Sequence, residues 1–216
     1  MMLLGDMQDW KPNVASIIEY AADIYPESEV VSKLVSGEVH RTNYKEVCVR
    51  SRKLASKLIK DGYKQGDVIA TLALNTFRHL EAYYGVSGMG AVVHTLNFRL
   101  HPEQAVYIIN HAEDKVIFVE APFVPILEAL QENLSTVEKY IVFCDKHEMP
   151  ESTLKNCISY EDILRMVMKI LYGQIYLTMQ LVVCVIHLEQ QGIQREFYIH
   201  INQLFFMQFL LLDQKP

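Results

Sequence analysis

The sequence predicts an α/β fold in which a mostly parallel sheet is flanked by helices. The first three quarters of the chain alternate between strand-like and helix-like segments with short connections, which is the order of β-α units. Residues 67–74 are almost continuously apolar, and such a strand is usually covered on both faces, as in a parallel sheet. The length of 216 residues is sufficient for one domain with a sizeable core.

A cap and a turn define the first elements. Asn13 is a residue that can cap a helix, and the apolar spacing after it predicts a helix to about residue 25. Ser36-Gly37 separates two strand-like runs, residues 29–34 and 39–42. Two such runs around a turn predict a β-hairpin.

The next helix has a predicted start, face and end. Asn43 and Glu46 have the spacing of a capping box, and Gly62 is the expected stop, because glycine is favoured just past a helix end. The face between them that is expected to be buried carries Val47, Leu54 and Leu58.

Strands and helices then alternate from residue 67 to residue 164. Pro102 fits the first turn of one of these helices, where its missing N–H is not needed. The predicted segments are strand 67–74, helix 76–86, strand 91–96, helix 102–111, strand 115–120, helix 124–134, strand 140–144 and the start of a helix at 160–164. After Arg165 no period is recognisable, and the sequence predicts no element there.

Composition excludes several classes of protein. The net charge of -6 and the pI near 5.7 argue against a nucleic-acid partner, which requires a basic face. The amino terminus lacks a basic region before its short apolar run, so no signal peptide is predicted. The apolar runs at residues 181–188 and 204–212 are too short for a transmembrane segment, although peripheral membrane contact stays open. We therefore expect a cytoplasmic protein, with widely spaced free thiols at Cys48, Cys144, Cys157 and Cys184.

Titratable side chains in the β-α region suggest no catalytic group by themselves. The predicted role of His79, His94 and His111 is structural, with each ring partly buried and hydrogen-bonded. Nothing in the sequence pairs the acidic residues of this region with a partner, so they are expected at caps or on solvated faces. Those acidic residues are Asp23, Glu81, Glu113 and Asp114.

Glycines and known motifs also leave the chemistry unassigned. Gly85, Gly88 and Gly90 come at the end of a predicted helix, where glycine serves as a C-cap and in close helix–sheet packing. A phosphate cradle needs its glycines before a helix, where free N–H groups face the anion. The sequence contains no GxxxxGK[ST], GxGxxG, HExxH or GxSxG motif.

A family resemblance adds to this interpretation. Residues 75–84 (NTFRHLEAYY), 88–97 (GMGAVVHTLN) and 107–114 (YIINHAED), together with His40-Arg41-Thr42 and Arg99-Leu100, resemble the amino-terminal subdomain of fatty acyl-CoA synthetases. The bacterial medium- and long-chain enzymes are the most similar branch, and the resemblance extends from about Trp10 to Leu164.

The resemblance implies a fold and an activity. Residues 10–164 would form the amino-terminal β-α part of the large domain of the adenylate-forming enzymes, and residues 165–216 a tail that belongs to no domain. The family uses ATP and Mg²⁺ to convert a fatty acid to an acyl-adenylate, from which CoA displaces AMP. Its phosphate loop, Y-T-S-G-T-T-G-x-P-K-G, its adenine-site and hinge segments and its catalytic lysine segment are absent from this sequence.

The chain is therefore expected to be inactive and to bind none of these cofactors. We assign no catalytic, cofactor-binding or metal-binding residue. Four residues lie in the most family-like stretches without a role that we can argue, namely Asn75, His79, Asn97 and Arg99.

The tail has a second interpretation at the level of the gene. When the last base of each codon is read with the first two of the next, residues 185–200 permit Y-T-S-G-T-T-G-N-P-K-G-V-L-Y-S-H. The junction of Phe197 and Tyr198 can give only Leu. A frameshift near Arg165 is our hypothesis, and an unrelated carboxy-terminal extension is the alternative.

Alternatives for function also remain open at this point. The chain could be a non-catalytic interaction module, because the family's amino-terminal region can contribute to dimer contacts, or it could be a non-functional remnant. A membrane-attached protein that uses residues 204–212 is a third possibility, although that run lacks a basic flank.

Overall fold

The structure is a computed structural model that describes residues 13–166 and the backbone of residues 183–188 and 194–199. The helices are α1 (Val14–Ile24), α2 (Tyr44–Lys60), α3 (Phe77–Gly88), α4 (Pro102–His111), α5 (Val124–Leu130) and α6 (Tyr160–Arg165). The strands are β1 (Glu29–Lys33), β2 (Val39–Asn43), β3 (Val68–Leu72), β4 (Val92–Thr95), β5 (Asp114–Val119), β6 (Lys139–Val142), β7 (Cys157–Ser159), β8 (Val183–Leu188) and β9 (Gln194–Ile199).

Two sheets organise these strands. The predicted hairpin is confirmed, since β1 and β2 form a separate antiparallel pair. The main sheet has the order β7-β6-β5-β3-β4-β8-β9. All pairings from β7 to β8 are parallel, and only β9 runs antiparallel to its neighbour.

Strand β3 of the main sheet is buried on both faces, as its apolar sequence predicted. Ile69 belongs to a core cluster that contains Leu54 of α2, Val86 of α3 and Ile163 of α6. The next residue, Ala70, belongs to a second cluster, which contains residues of α4 and α5. Because neighbouring strand residues point to opposite faces, both faces of β3 need apolar side chains. This explains why polar and apolar residues do not alternate along β3.

The helix ends follow the local signals in the sequence. The side chain of Asn13 accepts a hydrogen bond from the Ala15 N–H at 3.0 Å, and Asn43 accepts one from the Glu46 N–H at 2.9 Å. Gly62 follows the end of α2 with φ +99°, a left-handed conformation in which glycine has no steric penalty. Pro102 occupies the start of α4, as predicted.

Several boundaries differ from the predictions. Helix α5 ends at Leu130 and continues as one turn of 3-10 helix at Gln131–Asn133, whereas the sequence predicted one helix to residue 134. Strand β7 was not predicted, because three residues are too few to show a period. Strands β8 and β9 lie in the tail, where no element was predicted.

No described helix is long and apolar enough to cross a membrane. Residues 204–212, the apolar run considered above, lie outside the described residues. Of Cys184 the structure describes only the backbone. The other three cysteines are free thiols, as predicted, and burial raises their pKa values, to about 12 for Cys144 and about 11 for Cys157.

Candidate functional site

The strand order creates a topological switch point between β3 and β5. From β3 the chain passes to β4 on one side, and from β5 it passes to β6 on the other. Open α/β sheets bind ligands in the crevice outside the carboxyl ends of strands at such a point. The candidate site is therefore the crevice formed by the loops that follow β3 and β5, which we call the switch-point crevice.

Glu120 connects the two loops of the switch-point crevice. Its carboxylate accepts a hydrogen bond from the Thr76 hydroxyl at 3.2 Å and one from the backbone N–H of Leu74. Burial raises the pKa of Glu120, and these donors together with Arg78 partly oppose that rise. Thr76 precedes α3 but makes no side-chain capping bond to the helix. Glu120 thus fixes the β3–α3 loop at the switch point.

Two cavities flank Thr76 under the β1–β2 hairpin. The larger has a volume of about 380 Å³ and the smaller about 180 Å³. The larger is lined by Val30, Val31, Ser32, Asn75, Thr76, Phe77, His79, Leu80 and Tyr83. The smaller is lined by Leu34, Val35, Ser36, Thr76, Arg78, Glu120, Ala121, Phe143, Cys144 and Glu148. Their walls are mainly apolar, with a few polar groups near Thr76, which is the usual character of small-molecule sites.

A buried ionic network lies beside the switch-point crevice. Arg50 of α2 donates through Nε to Glu81 of α3 at 2.7 Å and through both terminal nitrogens to Glu161 of α6 at 2.8 and 3.1 Å. Tyr160 donates its hydroxyl to the second oxygen of Glu81 at 2.9 Å. Arg78 donates through Nε to Glu161 at 3.0 Å. The network therefore ties three helices together through charge-assisted hydrogen bonds.

The expectation for Glu81 was wrong. Its side chain is fully buried rather than solvated, and it is paired with Arg50 and Tyr160. Burial raises the pKa of Glu81 to about 7, while Arg50 and Tyr160 act in the opposite direction. Since its partners are 31 and 79 residues away along the chain, no local spacing could have indicated them.

Asp114 also departs from the expectation. It is fully buried and lies 2.8 Å from Nδ1 of His94, which is itself buried. Burial raises the pKa of Asp114, and the bond to His94 opposes that rise. The structural role predicted for His94 is confirmed by this bond. Asp23 and Glu113 are exposed, as expected.

The other two histidines have different surroundings. Nδ1 of His79 lies 3.1 Å from the Leu74 carbonyl and Nε2 lies 3.1 Å from the Thr71 hydroxyl. Because the Leu74 carbonyl can only accept, Nδ1 must carry the proton of the neutral ring, and Nε2 can then accept a hydrogen bond from the Thr71 hydroxyl. Burial lowers the pKa of His79, which fits the predicted structural role. His111 is exposed and stacks on Tyr107, so the expectation that it would be partly buried was wrong.

The remaining family-like residues are divided between two places. Asn75 and His79 line the larger cavity. Asn97 instead accepts a hydrogen bond from the Arg99 N–H at 3.0 Å in a local turn, and the Arg99 guanidinium lies over the Phe98 ring. The structure brings the first pair to the switch-point crevice but not the second. Sequence reasoning missed the main polar groups of that crevice, Thr76 and Glu120.

The glycines of the α3 region have packing and capping roles. Gly90 has φ +83° just past α3, which confirms a capping position. Gly85 lies against α2, where an added Cβ would be 2.8 Å from the Ser51 carbonyl oxygen. The predicted close packing is therefore between two helices rather than between helix and sheet.

The carboxylates of one cluster of potential metal ligands already have hydrogen-bond partners within the protein. Among the described residues, one set of three potential metal ligands lies together, Asp145, His147 and Glu148. Asp145 already accepts from Arg78 and caps the following turn, and Glu148 accepts from the Asp145 N–H at 3.3 Å. Mg²⁺ requires carboxylate oxygens that are free to coordinate it.

Comparison with known proteins gives consistent matches. The profile of the AMP-binding enzyme family matches residues 18–170. A long-chain-fatty-acid–CoA ligase of Thermus thermophilus is 45% identical over 158 residues, which are 73% of this chain and 28% of that protein. A medium-chain-fatty-acid–CoA ligase of Ectopseudomonas oleovorans is 43% identical over 162 residues, which are 75% of this chain and 30% of that protein.

The fold is also that of solved ligases. An anthranilate CoA ligase in complex with anthranoyl-AMP aligns with a TM-score of 0.76 at 17% identity, covering 90% of this chain and 36% of that one. This likeness concerns the fold alone. The chain spans less than a third of the length of the two curated relatives that it matches.

Proposed function

Because the chain belongs to the AMP-binding enzyme family, we propose that it is the amino-terminal part of a fatty acid–CoA ligase. The observation that carries this proposal is the identity of 43–45% to medium- and long-chain fatty acid–CoA ligases over about three quarters of the chain. The whole ligase would join a fatty acid to CoA through an acyl-adenylate, with ATP and Mg²⁺ as cofactors. A cytoplasmic location is part of the proposal.

We further propose that this polypeptide is catalytically inactive by itself. Acyl-adenylate formation requires groups that hold the phosphates and stabilise the charge that develops on them. The sequence has no phosphate loop of the family. In the switch-point crevice, Arg78 is already bound to Glu161 and Asp145, so it is poorly suited to neutralise a nucleotide.

We also propose a frameshift near Arg165, which accounts for the absence of the phosphate loop from residues 165–216. The family match ends at residue 170, close to the point where the periodic pattern ends. In the neighbouring frame, residues 189–193 can read T-T-G-N-P, the centre of the phosphate loop.

Fatty-acid-dependent exchange between ATP and pyrophosphate tests both proposals. The purified chain should show only background exchange with medium- and long-chain acids. The matched control is the product of the same gene with one base inserted near codon 165 to restore the neighbouring frame, and this protein should be active. Exchange by the original chain would refute the proposed inactivity.

Two further outcomes test the frameshift and the substrate class separately. If the codons of residues 185–200 do not encode the phosphate loop in the neighbouring frame, the frameshift proposal fails while the family membership stands. If the frame-restored protein folds but activates no fatty acid, the proposal that fatty acids are the substrates is wrong.

Contact with an intact ligase and peripheral contact with a membrane stay predictions. Co-purification with a full-length ligase tests the first of them.

A further inference from the structure

The hairpin strands β1 and β2 bond to each other through alternate residues. The Leu34 N–H donates to the Glu38 carbonyl at 2.8 Å, and the Tyr44 N–H donates to the Ser28 carbonyl at 3.3 Å. Hydrogen-bonded and non-hydrogen-bonded positions alternate along an antiparallel pair, so the residues of β1 that bond to β2 are the even-numbered ones. The others direct their N–H and C=O groups to the outer edge of β1. Those residues are Glu29, Val31 and Lys33.

This outer edge is open within the part of the chain that the structure describes. The hairpin sheet has two strands there, so no third strand pairs with β1. The side chains of Glu29, Val31 and Lys33 are exposed and share one face, because alternate residues of a strand point the same way. Val31 at the centre is 52% exposed. Another strand can add to an edge that presents free N–H and C=O groups in this way.

The sequence of β1 is complementary to itself in the antiparallel direction. When two copies of β1 pair around Val31, Glu29 of each copy lies opposite Lys33 of the other. Opposite charges that face each other across two strands stabilise the pairing. The three residues in this register are also the three whose backbone groups point outward, so they can form the hydrogen bonds of the new ladder. Charged side chains at a strand edge usually oppose pairing, whereas here they attract.

We propose that the chain pairs with a second copy of itself, β1 to β1, in a continuous four-stranded antiparallel sheet. The arrangement closes as a dimer, since each copy uses the same strand. The outer edge of β2 is a poorer candidate, because pairing around its central residue would place Arg41 opposite Arg41 of the other copy. Arg41 donates to Oε2 of Glu29, so Oε1 can accept from Lys33 of the second copy.

The larger cavity lies beside the same edge. Its walls include Val30, Val31 and Ser32 of β1 together with residues of α3. In the proposed register, Val30 of the second copy lies opposite Ser32, on the face of the sheet that carries Val30 and Ser32 themselves. The cavity therefore offers apolar space for that side chain at the point where the second copy adds.

Sedimentation velocity of the full-length chain tests this interface. The chain should show a monomer–dimer equilibrium in the micromolar range, since the interface is small, and added salt should weaken it. Lys33→Glu places two pairs of like charges at the interface and should raise the dissociation constant at least about tenfold, and Glu29→Lys should do the same. The control Lys155→Glu makes the same change of charge at a side chain that is 74% exposed and outside the hairpin, and should leave the equilibrium unchanged.

A mixture of the two charge variants tests the register directly. Lys33→Glu has two acidic residues on the outer edge of β1 and Glu29→Lys has two basic ones, so neither variant matches itself but each matches the other. An equimolar mixture should form heterodimers with about the affinity of the parent chain. The chain that combines Glu29→Lys with Lys33→Glu should associate with itself again.

Three results would overturn the proposal: a parent chain that stays monomeric throughout the micromolar range, association that neither single charge variant weakens, and a mixture of folded variants that stays monomeric. Circular dichroism shows whether each variant keeps its fold. If a charge variant unfolds, Val31→Pro is the second test. The Val31 N–H faces the outer edge, so proline leaves the bonds between β1 and β2 in place and should abolish dimerisation. A folded Val31→Pro chain that dimerises as the parent does also overturns the proposal.

Discussion

Replacement of Gly85 by alanine sets two effects of opposite sign against each other. Alanine favours a helix over glycine by up to about 1 kcal/mol. At this position, however, the added Cβ would lie 2.8 Å from the Ser51 carbonyl oxygen and 3.1 Å from Cδ2 of Leu54. The oxygen belongs to the backbone of α2, and Leu54 is fully buried in the core. The carbonyl oxygen cannot move unless α2 moves, and the buried Leu54 side chain is closely packed in the core.

The required shift decides which effect is larger. Restoring an ordinary contact of 3.4 Å from 2.8 Å requires a displacement of about 0.6 Å between α2 and α3. Overpacking of this kind costs about 1–3 kcal/mol. Because the nearest atom belongs to the backbone of α2 and cannot repack, the cost should lie at about 2–3 kcal/mol. After the gain of about 1 kcal/mol in helix propensity, Gly85→Ala should lower the free energy of unfolding by about 1–2 kcal/mol. Gly88→Ala is the matched control, because its Cβ would meet only Cβ of Ala15 at 3.5 Å.

Urea unfolding followed by circular dichroism measures both variants. Gly85→Ala should lower the midpoint with an unchanged slope, whereas Gly88→Ala should be neutral or should raise the midpoint slightly. If Gly85→Ala is as stable as the parent chain, α2 and α3 do not pack as closely as the structure shows, and the reasoning is refuted.

The ionic network gives two more predictions. Above pH 7, where Glu81 is ionised in the parent chain, Arg50→Ala should lower the free energy of unfolding by about 3–5 kcal/mol, because it leaves the buried carboxylate of Glu81 without its cation. Arg41→Ala should cost less than about 1 kcal/mol, because both members of that pair are 60% exposed. Equal effects of the two substitutions in urea unfolding would contradict this assignment. Since burial raises the pKa of Glu81 from 4.5 to about 7, its protonated form stabilises the folded chain below pH 4.5, and that contribution is lost as the pH rises to about 7. The stability of the parent chain relative to Glu81→Gln should therefore fall across this range by up to about 1.4 kcal/mol per pH unit, and a constant difference would show that Glu81 stays ionised.

Local signals in the sequence were sufficient for most elements of the fold. Asn13, Asn43 and Gly62 act on backbone groups within a few residues, so their roles at helix ends follow from the sequence alone. The three-residue strand β7 could not be predicted, because three residues are too few to show a period and its pairing with β6, 17 positions earlier, is not visible in the local sequence. The length of α5 was overestimated for a related reason, since its last turn differs from an α-helix only in the hydrogen bonds that it closes.

By itself the sequence determined the alternation of β-α units, the burial of both faces of β3 and the family, because these depend on local periodicity and on residues that can be compared one by one. Only the tertiary structure decided the partners of Glu81 and Asp114 and the position of Thr76 beside Glu120. These contacts join residues 20 to 79 positions apart. The order in which parallel strands assemble brings such residues together, and no spacing along the chain encodes that order.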